Sequence, residues 1–134
     1  MYLESLLAEL SAELGIAPLA VQTQDRCAVF LGGDVHVELH WRPATGMLRL
    51  VALVGHAAMN RERLLTTLLA GNLALAERGK PVFALEPGTD AVVLTQSLDT
   101  ARLTATRLAS RIRTLAGACR KVRAALATDQ AILA

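Results

Sequence analysis

Three side chains on one short stretch, His36, Glu38 and His40, have the types and spacing to do chemistry. Alternate residues of an extended chain project from one face, so two imidazoles and a carboxylate would stand in a row, as a divalent metal requires. A metal-dependent enzyme built on them needs a further ligand. His56 has the right type, but it follows Gly55 and nothing in the sequence brings it near. The solvated face of a strand accounts for the same three residues without a metal, so no metal and no cofactor is expected.

Other routes to catalysis are missing. Ser5, Ser11, Ser97 and Ser110 are the only serines; none stands in a GxSxG context, and each falls where a helix surface or a cap would place it. Cys27 and Cys119 lie far apart in apolar surroundings, form no CxxC pair and read as reduced core thiols. Gly79-Lys80 resembles the end of a phosphate loop, but Pro81 stands where Ser or Thr is needed and no glycine stands five residues before Gly79. The expectation is a protein that binds rather than catalyses.

Charge offers one more function. Residues 1–98 hold 7 Lys/Arg against 10 Asp/Glu, whereas residues 99–134 hold 7 against 2, within a net charge of +2. Arg102, Arg107, Arg111, Arg113, Arg120, Lys121 and Arg123 could neutralise phosphates. They are scattered around a polar arc with no aromatic interleaved for base stacking, and long basic side chains commonly cover the flanks of an apolar seam. A dimeric nucleic-acid-associated or regulatory module using this basic C-terminal helix is the alternative reading.

Periodicity supplies the elements that must position these residues. Leu3, Leu6, Leu7, Leu10 and Leu14 recur at helical spacing, and Gly15 and Pro18 stop that helix. Residues 16–25 read as a connection. Arg26 to Leu31 reads as a strand, Gly32-Gly33 as a turn with positive φ, and Asp34 to Arg42 as a strand with Val35, Val37, Leu39 and Trp41 inward. After a turn at Pro43 to Gly46, Met47 to Val54 is apolar on both faces, as a central or covered strand is. Asn60 can cap a second helix running to about Arg78 and ending at Gly79 and Pro81. Its Leu64, Leu65, Leu68, Leu69, Leu73 and Leu75 spread over more than one stripe, so it needs two partners. Val82 to Glu86 and Ala91 to Gln96 form a hairpin across Pro87-Gly88. A long helix from about Asp99 to Ala127 closes the chain, with Ala101, Ala105, Leu108, Ile112, Leu115, Cys119, Val122 and Leu126 as its seam. The fold class is α+β: three helices and an antiparallel β-sheet of about five strands, in the order α-βββ-α-ββ-α, within a single domain over residues 1–134.

With 53% hydrophobic residues, 25 of them Leu and 24 Ala, the chain is not disordered, and it carries more apolar surface than a 134-residue core can hide. A partner surface is expected. The first helix bears Glu4, Glu9 and Glu13 and no basic residue, unlike a secretion signal, and no apolar run is long enough to span a bilayer, so the expected compartment is the cytoplasm.

Several stretches resemble the class I type III secretion chaperones, the Tir chaperone family, over nearly the whole chain. Leu6-Leu7-Ala8-Glu9-Leu10 through Gly15-Ile16 is similar to that family's opening helix. Leu64-Leu65 through Leu68-Leu69-Ala70-Gly71-Asn72 is similar to its second helix, and Pro81 to Leu85, Glu86-Pro87-Gly88-Thr89-Asp90 and Val92-Val93-Leu94 to the following hairpin. The resemblance implies a homodimeric cytosolic chaperone of a Gram-negative bacterium, without ATPase activity, that holds the N-terminal chaperone-binding segment of secreted effectors extended, soluble and secretion-competent. The secretion ATPase is a further partner of such a system. The resemblance puts the twofold interface on the second helix, at Leu65, Leu68, Leu69, Asn72 and Leu73. Its effector grooves lie between the first helix and the sheet, for which Leu3, Leu7, Leu10, Phe30, Met47 and Val51 are the candidates. Such chaperones are commonly acidic, and the basic last helix departs from that pattern.

Overall fold

The computed structural model describes residues 2–19, 25–57, 61–77, 80–128 and 132–133. The elements are α1 (Tyr2–Leu14), β1 (Arg26–Leu31), β2 (Val35–Arg42), β3 (Met47–Ala57), α2 (Arg61–Glu77), β4 (Val82–Glu86), β5 (Ala91–Asp99), a 3-10 turn (Thr100–Arg102), α3 (Ala105–Thr128) and β6 (Ile132–Leu133). The expected α-βββ-α-ββ-α order is present, with the short β6 and the 3-10 turn as additions. Asn60, Arg78 and Gly79, expected at the ends of α2, lie outside the described residues, as does part of the 16–25 connection.

The sheet order is β1-β2-β3-β5-β4, with every neighbouring pair antiparallel and β6 paired to the far end of β3. The chain leaves central β3, crosses through α2 to edge strand β4, and returns as β5 beside β3. Period-2 alternation then sorts the side chains. Val29 and Cys27 of β1, Val35, Val37 and Leu39 of β2, Leu48, Leu50, Ala52 and Val54 of β3, and Val92 and Leu94 of β5 are buried on one face. Helices α1 and α3 cover that face and pack on each other. Leu3, Leu6, Leu7 and Leu10 of α1 and Ala105, Leu108, Ile112, Leu115 and Cys119 of α3 complete the core.

Local chemistry sets the element ends. At the C-terminus of α1, Gly15 adopts φ 66°, its N–H donates to Ala12 O and that of Ile16 to Ser11 O, the double bond that closes a helix on a left-handed residue. Arg113 of α3 donates to the remaining Glu13 carbonyl at 2.8 Å. The β1–β2 connection needs positive φ at both Gly32 and Gly33, as expected from their sequence.

The last helix starts later than its seam suggests. β5 continues to Asp99, whose carboxylate accepts the Ala101 N–H, and Thr100 bonds Gly46 O through both its N–H and its hydroxyl. Those bonds hook the chain onto the β2–β3 turn, so Ala101 belongs to a 3-10 turn and stays exposed. Thr104 then accepts the Arg107 N–H and opens α3.

Two arginines lock α3 across the sheet. Arg120 donates to both Asp34 carboxylate oxygens at 2.9 Å and to Leu31 O at 3.1 Å. Arg123 donates to Leu53 O, Val54 O and Asp34 O at 2.8 to 2.9 Å. The register shifts between Leu53 and Gly55, and there the β3 carbonyls turn toward the helix instead of a neighbouring strand. Bonds from a charged donor to backbone carbonyls are the strong kind, and the Leu53 carbonyl also accepts the Cys119 thiol at 3.1 Å. Arg123→Met is therefore expected to lower unfolding free energy by about 2–3 kcal/mol in urea titration, with Arg123→Lys restoring only part, because one ammonium cannot span three carbonyls.

Candidate functional site

The sheet face away from α1 and α3 carries the row that sequence picked out. His36, Glu38 and His40 all project there, but they do different things. The His36 ring stacks on Phe30, with centroids 4.8 Å apart. His40 Nε2 lies 3.3 Å from Glu38 Oε2, and Arg49, directly across on β3, donates to His40 Nδ1 at 3.3 Å. That pair of partners assigns the proton of neutral His40 to Nε2. Among the described residues no group of three His, Cys, Asp or Glu side chains is placed to hold a metal ion. The face is also less wet than alternation implies: His40 is only 9% exposed, beneath a hollow of about 280 Å3 bordered by Arg26, Arg49, Val51, Leu85, Glu86 and Val93.

The hydroxyl and thiol candidates serve the fold. Ser11, expected on a helix surface, is 5% exposed: its hydroxyl donates to Leu7 O and accepts the Leu19 N–H, holding the chain after α1 against the helix. Cys27 and Cys119 are unpaired and buried. Burial pushes both thiols up; at Cys119 it outweighs the nearby Arg123 and Arg120, which act the other way.

The residues expected to meet an effector divide. Leu3, Leu7 and Leu10 are 1%, 1% and 0% exposed, inside the core beneath α3. The apolar stripe of α1 is used up by its own fold, and the outward positions, Glu4, Ser5, Ala8, Glu9 and Ala12, are small or charged. Phe30 is 64% exposed at edge strand β1, and Met47 and Val51 are half-buried on the outer face.

The expected interface residues on α2 divide as well. Leu64 and Leu68 are buried against the rest of the chain, so Leu68 is a core residue and not a surface one. Leu69 and Leu73, four residues apart on one face, are 69% and 68% exposed, with Leu65 half-buried beside them. Asn72 points the other way: its amide donates to Phe83 O at 2.9 Å while its oxygen accepts the Phe83 N–H, so one side chain fills both backbone positions on the free edge of β4. Gly71 lets the helix come that close, since a Cβ there would stand 3.4 Å from the Phe83 ring. Arg61 at the start of α2 pairs with Asp90 of the β4–β5 turn.

The basic set on the C-terminal segment is likewise split. Arg113, Arg120 and Arg123 are tied to the chain's own carbonyls and Asp34, which removes them from any continuous cationic track. In return Arg120 holds the Asp34 carboxyl below the usual carboxylate range.

With this geometry in view, residues 5–123 match the model of the Tir chaperone protein (CesT) family. The chain belongs to that family. No curated protein sequence matches it. Among solved structures, a chain of the HopA1–SchA chaperone–effector complex superposes with TM-score 0.77 at 22% identity, covering 89% of this chain and 91% of that one. The Yersinia pestis type III secretion chaperone SycH, solved with a stable fragment of YscM2, gives 0.69 at 24%, covering 89% and 98%. YbjN from E. coli, described as a putative transcription regulator, gives 0.66 at 15%, covering 97% and 95%. At these identities the likeness is one of fold. No described helix is long and apolar enough to cross a membrane.

In this CesT-family chain the packing of His40 has a pH signature. Burial lowers its pKa more than the Glu38 bond raises it, and Arg26 and Arg49 lower it further. Glu86, on β4, is the remaining charged group bordering the hollow. Protonation would also set an N–H against the Arg49 guanidinium. As pH falls the unfolded chain takes up this proton first, so stability present near neutrality is lost progressively as pH falls through and below about 6.5. His40→Gln, which can still donate to Glu38 and accept from Arg49, is expected to flatten that slope in denaturant titrations across the range. An unchanged slope would remove His40 as its cause.

Proposed function

We propose that this protein is a type III secretion chaperone, acting as a homodimer in the cytoplasm, that holds an N-terminal segment of one or more secreted effectors in an extended, soluble and secretion-competent form. Membership of the CesT family supports the reading. The observation that carries it in this chain is an apolar surplus left on the surface of an otherwise well-packed protomer: Leu69 and Leu73 on α2 and Phe30 on β1. Burying one such side chain fully is worth about 1.5–3 kcal/mol, so leaving three uncovered gives up more than a marginally stable domain ordinarily concedes.

The surplus falls in two places, which suits two kinds of partner. On α2, Leu65, Leu69 and Leu73 form one stripe for a second copy of the chain, the self-complementary contact of a twofold interface. Phe30 lies at edge strand β1, where an extended guest can add backbone bonds, and Met47 and Val51 lie on β3, two strands in from that edge, where side chains of a guest can reach the outer face. Capture of a flexible segment costs several kcal/mol of ordering, which burial of apolar area must offset, and no bond need be made or broken. The binding is therefore expected to survive salt, unlike phosphate contacts.

Two experiments test the two halves. A high-salt pull-down from nuclease-treated lysate of the source organism, with limited proteolysis of what is retained, is expected to yield a secreted protein protected near its N-terminus. Retention of nucleic acid alone, in a low-salt untreated control, would replace this reading with the regulatory one. In light scattering, Leu69→Glu with Leu73→Glu is expected to turn a dimer into a folded monomer, since neither residue supports the protomer core. A persistent dimer would move the interface off α2.

A further inference from the structure

Three of the C-terminal basic residues left unused by the fold gather at one place, Lys121 standing apart from them. Arg102 of the 3-10 turn and Arg107 and Arg111 of α3 border one hollow of about 310 Å3, together with Leu98, Asp99, Ala101 and Leu103. Arg107 and Arg111 are four residues apart and share a helix face. None of the three guanidiniums forms a hydrogen bond or ion pair with a described residue, whereas Arg113, Arg120 and Arg123 on the same helix are all engaged. The hollow also holds Asp99, one of whose carboxylate oxygens already accepts the Ala101 N–H. Three cations therefore face one anion across an apolar floor of Leu98, Ala101 and Leu103, at the helix end where the backbone dipole adds positive potential.

We infer that this hollow docks an acidic stretch of a partner polypeptide, with Asp or Glu side chains on Arg102, Arg107 and Arg111 and an adjoining aliphatic side chain on Leu98 and Leu103. Guanidinium forks match carboxylates in two-point geometry, and the volume takes one or two side chains. A nucleic-acid strand fits less well. It needs a continuous track of phosphate contacts and aromatic platforms, but no aromatic lines the hollow, and Arg113, Arg120 and Arg123 are tied to Asp34 and to backbone carbonyls. The surface is separate from the α2 stripe and from the outer sheet face, and does not depend on the effector reading.

The test uses the full-length protein and a fluorescein-labelled peptide of Glu-Glu-Leu repeats, with a Gln-Gln-Leu peptide, inorganic phosphate and a 20-nucleotide oligothymidylate alongside. Binding is read by anisotropy, and the arginine Nε–Hε resonances by NMR. The Glu peptide is expected to bind saturably, shifting Arg102, Arg107 and Arg111, and the Gln peptide to bind about tenfold more weakly or worse. Arg107→Gln with Arg111→Gln should bring the Glu peptide to the same weak level, with Arg→Lys at both positions restoring part of the affinity. Circular dichroism melts are expected to be unchanged, because both side chains are exposed and make no internal bond. The inference is overturned if the Glu peptide does not bind, if the Gln double variant binds it equally well, if phosphate alone displaces it at millimolar level, or if oligothymidylate binds more tightly through the same arginines.

Discussion

The docking of α3 onto the β1–β2 turn and the β3 bulge is the contact on which the rest of the structure depends. A bulge turns backbone carbonyls away from their ladder, and carbonyls left without donors in a buried place are costly. Arg123 answers three carbonyls at once, and Arg120 fixes the turn through Asp34. Because α3 is held at that end, its seam lies flat on Leu50, Ala52 and Val54, and α1 can be packed against it through four leucines. The positive charge of the C-terminal segment is thus partly a structural reagent and only partly surface.

That division explains how the fold leaves apolar side chains on its surface. The protomer spends its first-helix leucines and the inner strand faces on one core, and among the described residues no second internal layer takes what remains. The leucines of α2 in excess of Leu64 and Leu68 must face outward, because Asn72 and Gly71 fix the rotation of that helix against β4. The exposed stripe is a consequence of one amide and one missing side chain.

Much of this was legible in the sequence. Helical spacing, strand alternation and the Gly32-Gly33 and Pro87-Gly88 turns located three helices and five strands, and β1 and β4 end where the pattern ends. Periodicity reports which residues share a face, however, and not what covers that face. Helical spacing groups Leu3, Leu7 and Leu10 on one stripe, but whether that stripe is covered depends on the position of α3, about a hundred residues away, which buries all three. Arg120 and Arg123 looked like solvated charge because their acceptors are backbone carbonyls, which carry no sequence signal. Arg102 merged into the helix pattern because the threonine hooks at Thr100 and Thr104 act on partners chosen by tertiary structure. The mid-helix Asn72 was the one readable hint, a polar residue placed where leucine surrounds it.

The asymmetry of the two sheet edges has a further effect. Phe83, the second residue of β4, has its N–H and C=O both occupied by Asn72, so no continuous strand can ladder along that side. An edge-to-edge ribbon of protomers needs β1 of one copy to meet β4 of the next, and that joint is blocked. A strand added beside β1 is therefore the end of the line: the sheet can accept another chain without becoming a template for fibres of itself.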